Sequence, residues 1–182
     1  KLEQAAYRVL KQLTGLEGVF LEQIQTFSDP ARDPAERTLS TAFYALIDIH
    51  QYEKQLSTEY RPEWFLLREV PALIFDHGEM LSLAQKKLRY KAALHPTLFE
   101  LLPAKFTIPQ LQNLYEETYN TKFDHRNFSR KVLSTGLLVK LNEKDKTSSK
   151  KGAFYYKLNK KKYKANFQAF LKFIPNPDKF LI

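Results

Sequence analysis

Two short helices in succession, each with its own start signal, constrain this chain more than any other feature. The segment TIPQLQNLYEETYN, residues 107–120, opens with Thr107 and Gln110, the spacing at which a hydroxyl and an amide can each satisfy the other's backbone N–H. Pro109 falls in the first turn, where no hydrogen bond needs its missing N–H. Leu111, Leu114 and Tyr115 recur at helical spacing and predict one buried stripe. After a short turn, KFDHRNFSRKVLSTG (122–136) offers Asp124 as an N-cap and Gly136 as a stop. LLVKLN, a polar lysine-rich EKDKTSSKKG and AFYYKL then read as two strands around a basic tip.

Helix, turn, helix and hairpin make the order of a winged helix-turn-helix, so this segment is expected to bind double-stranded DNA. The charge agrees. Residues 1–95 carry 12 Lys and Arg against 13 Asp and Glu, a net of −1, whereas residues 96–182 carry 17 against 7, a net of +10. A neutral half joined to a basic half suggests a module that meets a polyanion. At 100° per residue, Phe128, Val132 and Leu133 are expected on the buried arc of the second helix, with Arg126, Asn127, Arg130 and Lys131 opposite. Arg can pair two donors with guanine and Asn can pair with adenine, so Arg126, Asn127 and Arg130 are the candidates for reading bases. Lys144, Lys146, Lys150 and Lys151 at the hairpin tip are expected on backbone phosphates. Thr107, at a helix start, is a further candidate for a phosphate, though capping is its simpler role. Tyr155 and Tyr156 are expected to pack rather than stack on bases.

Ahead of His95-Pro96 the pattern is different. Residues 3–14 predict a helix ended by Gly15; 19–27 and 38–49 predict strands; 63–75 predicts a short strand running into a turn; 78–94 predicts an amphipathic helix. Between the two strands, SDPARDPAER holds two Asp-Pro steps and reads as a loop. The expected class is therefore α+β (mixed α/β), with a domain at 1–95 and a second at 96–182, where TLFELL gives a short helix before Pro103 and NKKKYKANFQAFLKF a closing one. No apolar run approaches the length of a membrane span and no charged-then-apolar leader is seen. The chain has no cysteine, which removes disulfides, thiolate metal sites and cysteine nucleophiles and suits the cytoplasm. The four histidines lack metal-ligand spacing, so no metal or cofactor is expected.

The segment RVLKQLTGL, Arg8–Leu16, resembles the frame of a Nudix box, Arg-Glu-apolar-x-Glu-Glu-x-Gly-apolar. Acids three and four residues apart share one helix face and can hold Mg²⁺ against a diphosphate. Arg8, Leu10, Gly15 and Leu16 keep the frame here, but Val9, Gln12 and Leu13 stand where the acids belong. Hydrolysis by that route is not expected, and no catalytic residue is assigned. LEQIQTFSDPARDPAERTLSTAFYALI and ALIFDHGEMLSLA resemble the later parts of a Nudix domain, so the resemblance covers residues 1–94 without the first strands of its sheet.

A Nudix-like half followed by LPAKFTIPQLQNLYEETYNTKFDHRNFSRKVLSTGLL resembles the Nudix-related transcriptional regulators of bacteria. The resemblance implies a non-catalytic Nudix domain that senses an effector and a winged helix that binds an operator. The degenerate box points to the sugar-responsive branch, with L-arabinose as the type of effector. The alternatives are an ADP-ribose-sensing regulator of NAD metabolism and an active Nudix pyrophosphohydrolase. The effector site is placed in the Nudix domain, where the ionic loop residues Asp29, Arg32, Asp33 and Arg37 are weak candidates. One recognition helix reads few bases, so a homodimer on a palindromic operator is expected.

Overall fold

The computed structural model describes residues 1–147 and 151–165. The chain forms two compact units, Lys1–Ala84 and Gln85–Ile182, so the division falls upstream of the expected step at His95-Pro96.

The front unit begins with helix α1, Leu2–Thr14, ended by Gly15 at φ 83°. The Gly15 N–H donates to the Lys11 carbonyl at 2.8 Å, the bond of a left-handed cap. Glycine is required twice over here. A Cβ at this position would lie 2.1 Å from the Gln55 carbonyl oxygen, because the chain at Gln55–Ser57 crosses the helix end. There the Ser57 N–H donates to Thr14 O at 2.8 Å. Strands β1, Glu22–Phe27, and β2, Ser40–Tyr44, pair antiparallel with a bulge between Gln23 and Thr26. Both are shorter than their alternation suggested. A one-turn helix α2, Ile49–Tyr52, is capped by the Asp48 side chain. Residues 63–75 do not form the expected strand. They hold only a 3-10 turn, Leu67–Glu69, between extended stretches. Pro62 precedes this stretch and Pro71 interrupts it, and neither can donate to a ladder.

Helix α3, His77–Leu94, runs across the division between the units. In the back unit its Ala92 and Ala93 are fully buried, and the short helix expected next is a 3-10 helix, Pro96–Leu101. Then come β3 (Phe106–Thr107), α4 (Ile108–Tyr119), α5 (His125–Ser134), β4 (Leu138–Asp145), β5 (Ala153–Leu158) and α6 (Lys160–Ala165). Beyond Ala165 the expected closing helix lies outside the described residues. The sheet is antiparallel in the order β3-β5-β4, with Phe106 opposite Tyr156 and Leu138 opposite Leu158. The two-residue β3 left no periodic signal in the sequence. Its role is to tie the start of α4 to the hairpin.

Leu98, Phe106, Leu111, Tyr115, Val132 and Leu137 centre the core of this unit, each nearly or fully withdrawn from water. Burying a leucine or valine side chain contributes roughly 1.5–3 kcal/mol, so this cluster is the main source of the unit's stability. Tyr115 lies 5.9 Å from Phe128 across the α4–α5 contact. Two further bonds hold α3 to α4: Arg89 Nε donates to Thr118 O at 2.9 Å, and the Tyr119 hydroxyl donates to Arg89 O at 2.7 Å.

Candidate nucleic-acid interface

The start of α5 is fixed by its cap and by a buried polar network. Asp124 accepts from the Asn127 N–H at 2.8 Å, as an N-cap should. Glu116, buried on α4, accepts from Lys122 Nζ at 2.7 Å, Gln112 Nε2 at 2.8 Å and the Phe123 N–H at 3.0 Å. Lys122 first, then Gln112 and the Phe123 amide, hold the Glu116 carboxyl well below its ordinary range, at about 2. Gln112 Nε2 also donates to Phe123 O at 2.9 Å. Both partners of that nitrogen are acceptors, so the amide orientation is determined and Gln112 Oε1 must face His125 Nδ1 at 2.7 Å. His125 therefore carries a proton on Nδ1 and donates it. One buried carboxylate thus sets the turn between the two helices and the first residue of the second.

From that start, α5 buries Phe128 and Val132 and exposes Arg126, Asn127, Arg130 and Lys131. The structure brings all four candidate side chains to the solvent side of one helix. Arg130 Nη2 donates to Asn127 Oδ1 at 2.8 Å, so these two are not independent. Leu133 is not on the buried arc: it is 44% exposed. A position five residues beyond Phe128 is rotated about 140° from it, too far to share the core face. Thr107 takes the capping role, the simpler of its two expected ones. It is buried, and its hydroxyl accepts from the Gln110 N–H at 3.4 Å within the capping box, so no phosphate reaches it.

In the wing, Lys144 lies on β4 rather than at the tip. Its Nζ stands 4.4 Å from the centre of the Phe154 ring and donates to Lys151 O at 3.4 Å. Lys140, not among the candidates by sequence, has its Nζ 3.6 Å from the centre of the same ring. A lysine at every second or fourth strand position was the available signal. Lys146 and Lys151 are exposed, and Lys150 lies outside the described residues. Gly152, at φ 67°, turns the chain where a Cβ would meet Asp145 O at 2.8 Å. Tyr156 packs into the core and Tyr155 is half-buried beneath Lys105, which also pairs with Glu143.

The front-unit candidates have local partners. Arg32 Nε and Nη2 each donate to an Asp76 carboxylate oxygen at 2.7 Å, and Nη1 donates to Ser40 Oγ at 2.8 Å. The Arg32 side chain is 4% exposed, so it is a strut between the loop and the start of α3 rather than a group presented to a ligand. The Arg32 guanidinium holds the Asp76 carboxyl below its ordinary range. Asp29 accepts from Ala31 N–H at 2.7 Å, and Asp33 from Ala35 N–H at 2.9 Å and the Thr38 hydroxyl at 3.1 Å. Arg37 is exposed. Val9 and Leu13, where a Nudix box has acids, line an apolar cleft of about 450 Å³ with Leu10, Leu21, Leu39 and Phe43.

Residues 98–158 match the family model described as the NrtR DNA-binding winged helix domain. This segment of the back unit is thus similar to the winged helix of NrtR. Over 174 residues the chain is 28% identical to the ADPR responsive transcriptional repressor NtrR of Acinetobacter baylyi, covering 94% of this chain and 69% of that protein. NrtR of Shewanella oneidensis has the same fold, with a TM-score of 0.67 in a crystal with a 27mer DNA. Without DNA its TM-score is 0.64. Both comparisons are at 24% identity and cover 92% of this chain, with 76% and 75% of the respective NrtR chains. A MutT/nudix family protein from Enterococcus faecalis follows at 0.53, with 20% identity, 87% of this chain and 70% of its own. The fold is thus mixed α+β, a Nudix-like unit followed by a winged helix. Among the described residues, no helix is long and apolar enough to cross a membrane.

Proposed function

We propose that the chain is a DNA-binding transcriptional repressor of the NrtR type, whose Nudix-like unit binds ADP-ribose and does not hydrolyse it. The observation that carries the DNA reading is the exposed row of Arg126, Asn127, Arg130 and Lys131 on a capped helix, inside a segment matched by the NrtR winged helix model. Lys140, Lys144, Lys146 and Lys151 would meet the phosphates beside it. The relative named for an effector is named for ADP-ribose. The expectation of L-arabinose has no such support, and the alternative fits better. The apolar side chains Val9 and Leu13 cannot supply oxygen ligands to Mg²⁺, which favours sensing over turnover. The exposed Arg37 is the loop cation we assign to the effector. A homodimer on a palindromic site completes the reading.

Selection from a random duplex library, followed by fluorescence anisotropy on the enriched duplex, tests it. We expect a palindromic site and release of the protein by ADP-ribose but not by L-arabinose. Release by the pentose, or production of AMP from ADP-ribose and Mg²⁺, overturns the effector assignment. Binding that is equal for all duplexes overturns the repressor reading.

A further inference from the structure

We propose that Leu133 reads a thymine through its 5-methyl group, as the third member of a stripe formed with Arg126 and Arg130. This rests on the DNA-binding reading above. Arg126, Arg130 and Leu133 stand at i, i+4 and i+7, so their side chains leave α5 within about 60° of one another, opposite Phe128 and Val132. The stripe is about 10 Å long, which matches about three base-pair steps. A leucine that is 44% exposed at the end of two arginines gains nothing from water. Its neighbours in the stripe fix what can cover it. A surface that offers guanine acceptors to two guanidiniums and an apolar group in line with them is the floor of a major groove, where the only apolar group is the thymine methyl. Asn127 lies off this stripe with its Oδ1 bonded to Arg130, which leaves Leu133 as the next side chain along the helix aligned with the bases.

Deoxyuridine lacks that methyl and keeps every hydrogen-bonding group of thymine. Each thymine of the selected duplex is replaced by deoxyuridine, one at a time, and binding of the full chain is followed by anisotropy. One thymine per half-site is expected to matter, its replacement weakening binding about fourfold, the loss from one uncovered methyl. Leu133→Ala is expected to bind the thymine and deoxyuridine duplexes equally at that position. Its melting temperature should be little changed, since the side chain is half-exposed. A selected site without an invariant thymine, a deoxyuridine scan with no effect, or a Leu133→Ala protein that keeps the methyl dependence overturns the inference. So does an altered sedimentation coefficient of Leu133→Ala with the methyl dependence intact, which would place the leucine against protein. If no duplex is enriched at all, the DNA-binding reading fails instead.

Discussion

Among the described residues of the back unit, twelve side chains from Ala92 to Tyr156 close into one cluster with at most 9% exposure. In the front unit only Leu16, Val19 and Phe27 are as deeply buried, while Leu2, Val9, Leu13, Phe20, Leu39, Trp64 and Phe65 stand partly or largely in water. The architecture explains the contrast. In the back unit the end of α3, α4 and α5 pack with a three-stranded sheet, whereas the front unit sets α1 and the one-turn α2 with a two-stranded ladder. Sequence hydrophobicity alone therefore does not make a core; the number of layers does.

The largest effect that could break this contrast is a matched pair of leucine truncations. Leu111→Ala removes a fully buried side chain and is expected to cost about 3 kcal/mol in urea denaturation. Leu13→Ala on α1 removes a half-exposed one and should cost less than about 0.5 kcal/mol. Equal costs would mean that the front unit buries Leu13 after all.

Charge supplies a second, smaller contrast. Glu116 lies inside the back unit with three donors, and its carboxyl titrates at about 2. A carboxyl whose value is depressed on folding stabilises fully above the ordinary carboxylate range. That contribution is lost as the pH falls toward 2. Glu116→Gln should cost about 2 kcal/mol at neutral pH and flatten the acid limb of unfolding between pH 4.5 and 2. An unchanged acid limb would show that the network is not closed in solution.

These two contrasts also mark what the sequence made legible. Capping chemistry was readable because it is local: Thr107 with Gln110, Asp124 with Asn127, and Gly15 and Gly136 at helix ends all act within a few residues. The exposed row on α5 follows from helical angle alone, and Leu133 belongs with it: its apolar character suggests the core, but a rotation of about 140° from Phe128 carries it away. What depended on distant partners stayed hidden. Arg32 is only a weak effector candidate by sequence, and nothing local points to its partner Asp76, 44 residues on. Gln112 and His125, 13 residues apart, gave no sign of their bond, and β3 is too short to carry a period. Residues 63–75 have strand composition but pair with no strand among the described residues. The candidate interface was therefore legible as a set of side chains, while the means of holding them in place was not.

The next contrast lies within the interface. If Asn127 orients Arg130, their losses are coupled; if each reads its own base, their losses add. Asn127→Ala, Arg130→Ala and the double variant, titrated against the selected duplex, should give a coupling of about 1 kcal/mol. Strict additivity would restore Asn127 as an independent reader of adenine.

The smallest expected effect separates charge from placement in the wing. Lys140 and Lys144 both lie over the Phe154 ring, a contact worth about 0.5–1 kcal/mol at an exposed site. The ring carries no charge to a phosphate; it only narrows where the two ammonium groups can be. Binding to DNA by counterion release gives a slope of log affinity against log salt that counts the phosphates neutralised, about 0.9 per contact. Lys144→Ala should therefore lower the slope by about one. Phe154→Leu keeps both charges and should leave the slope unchanged while weakening binding about two- to threefold at every salt concentration. A slope that falls with Phe154→Leu would mean that the ring determines whether the lysines reach phosphate at all. No change in affinity would mean that they find it unaided.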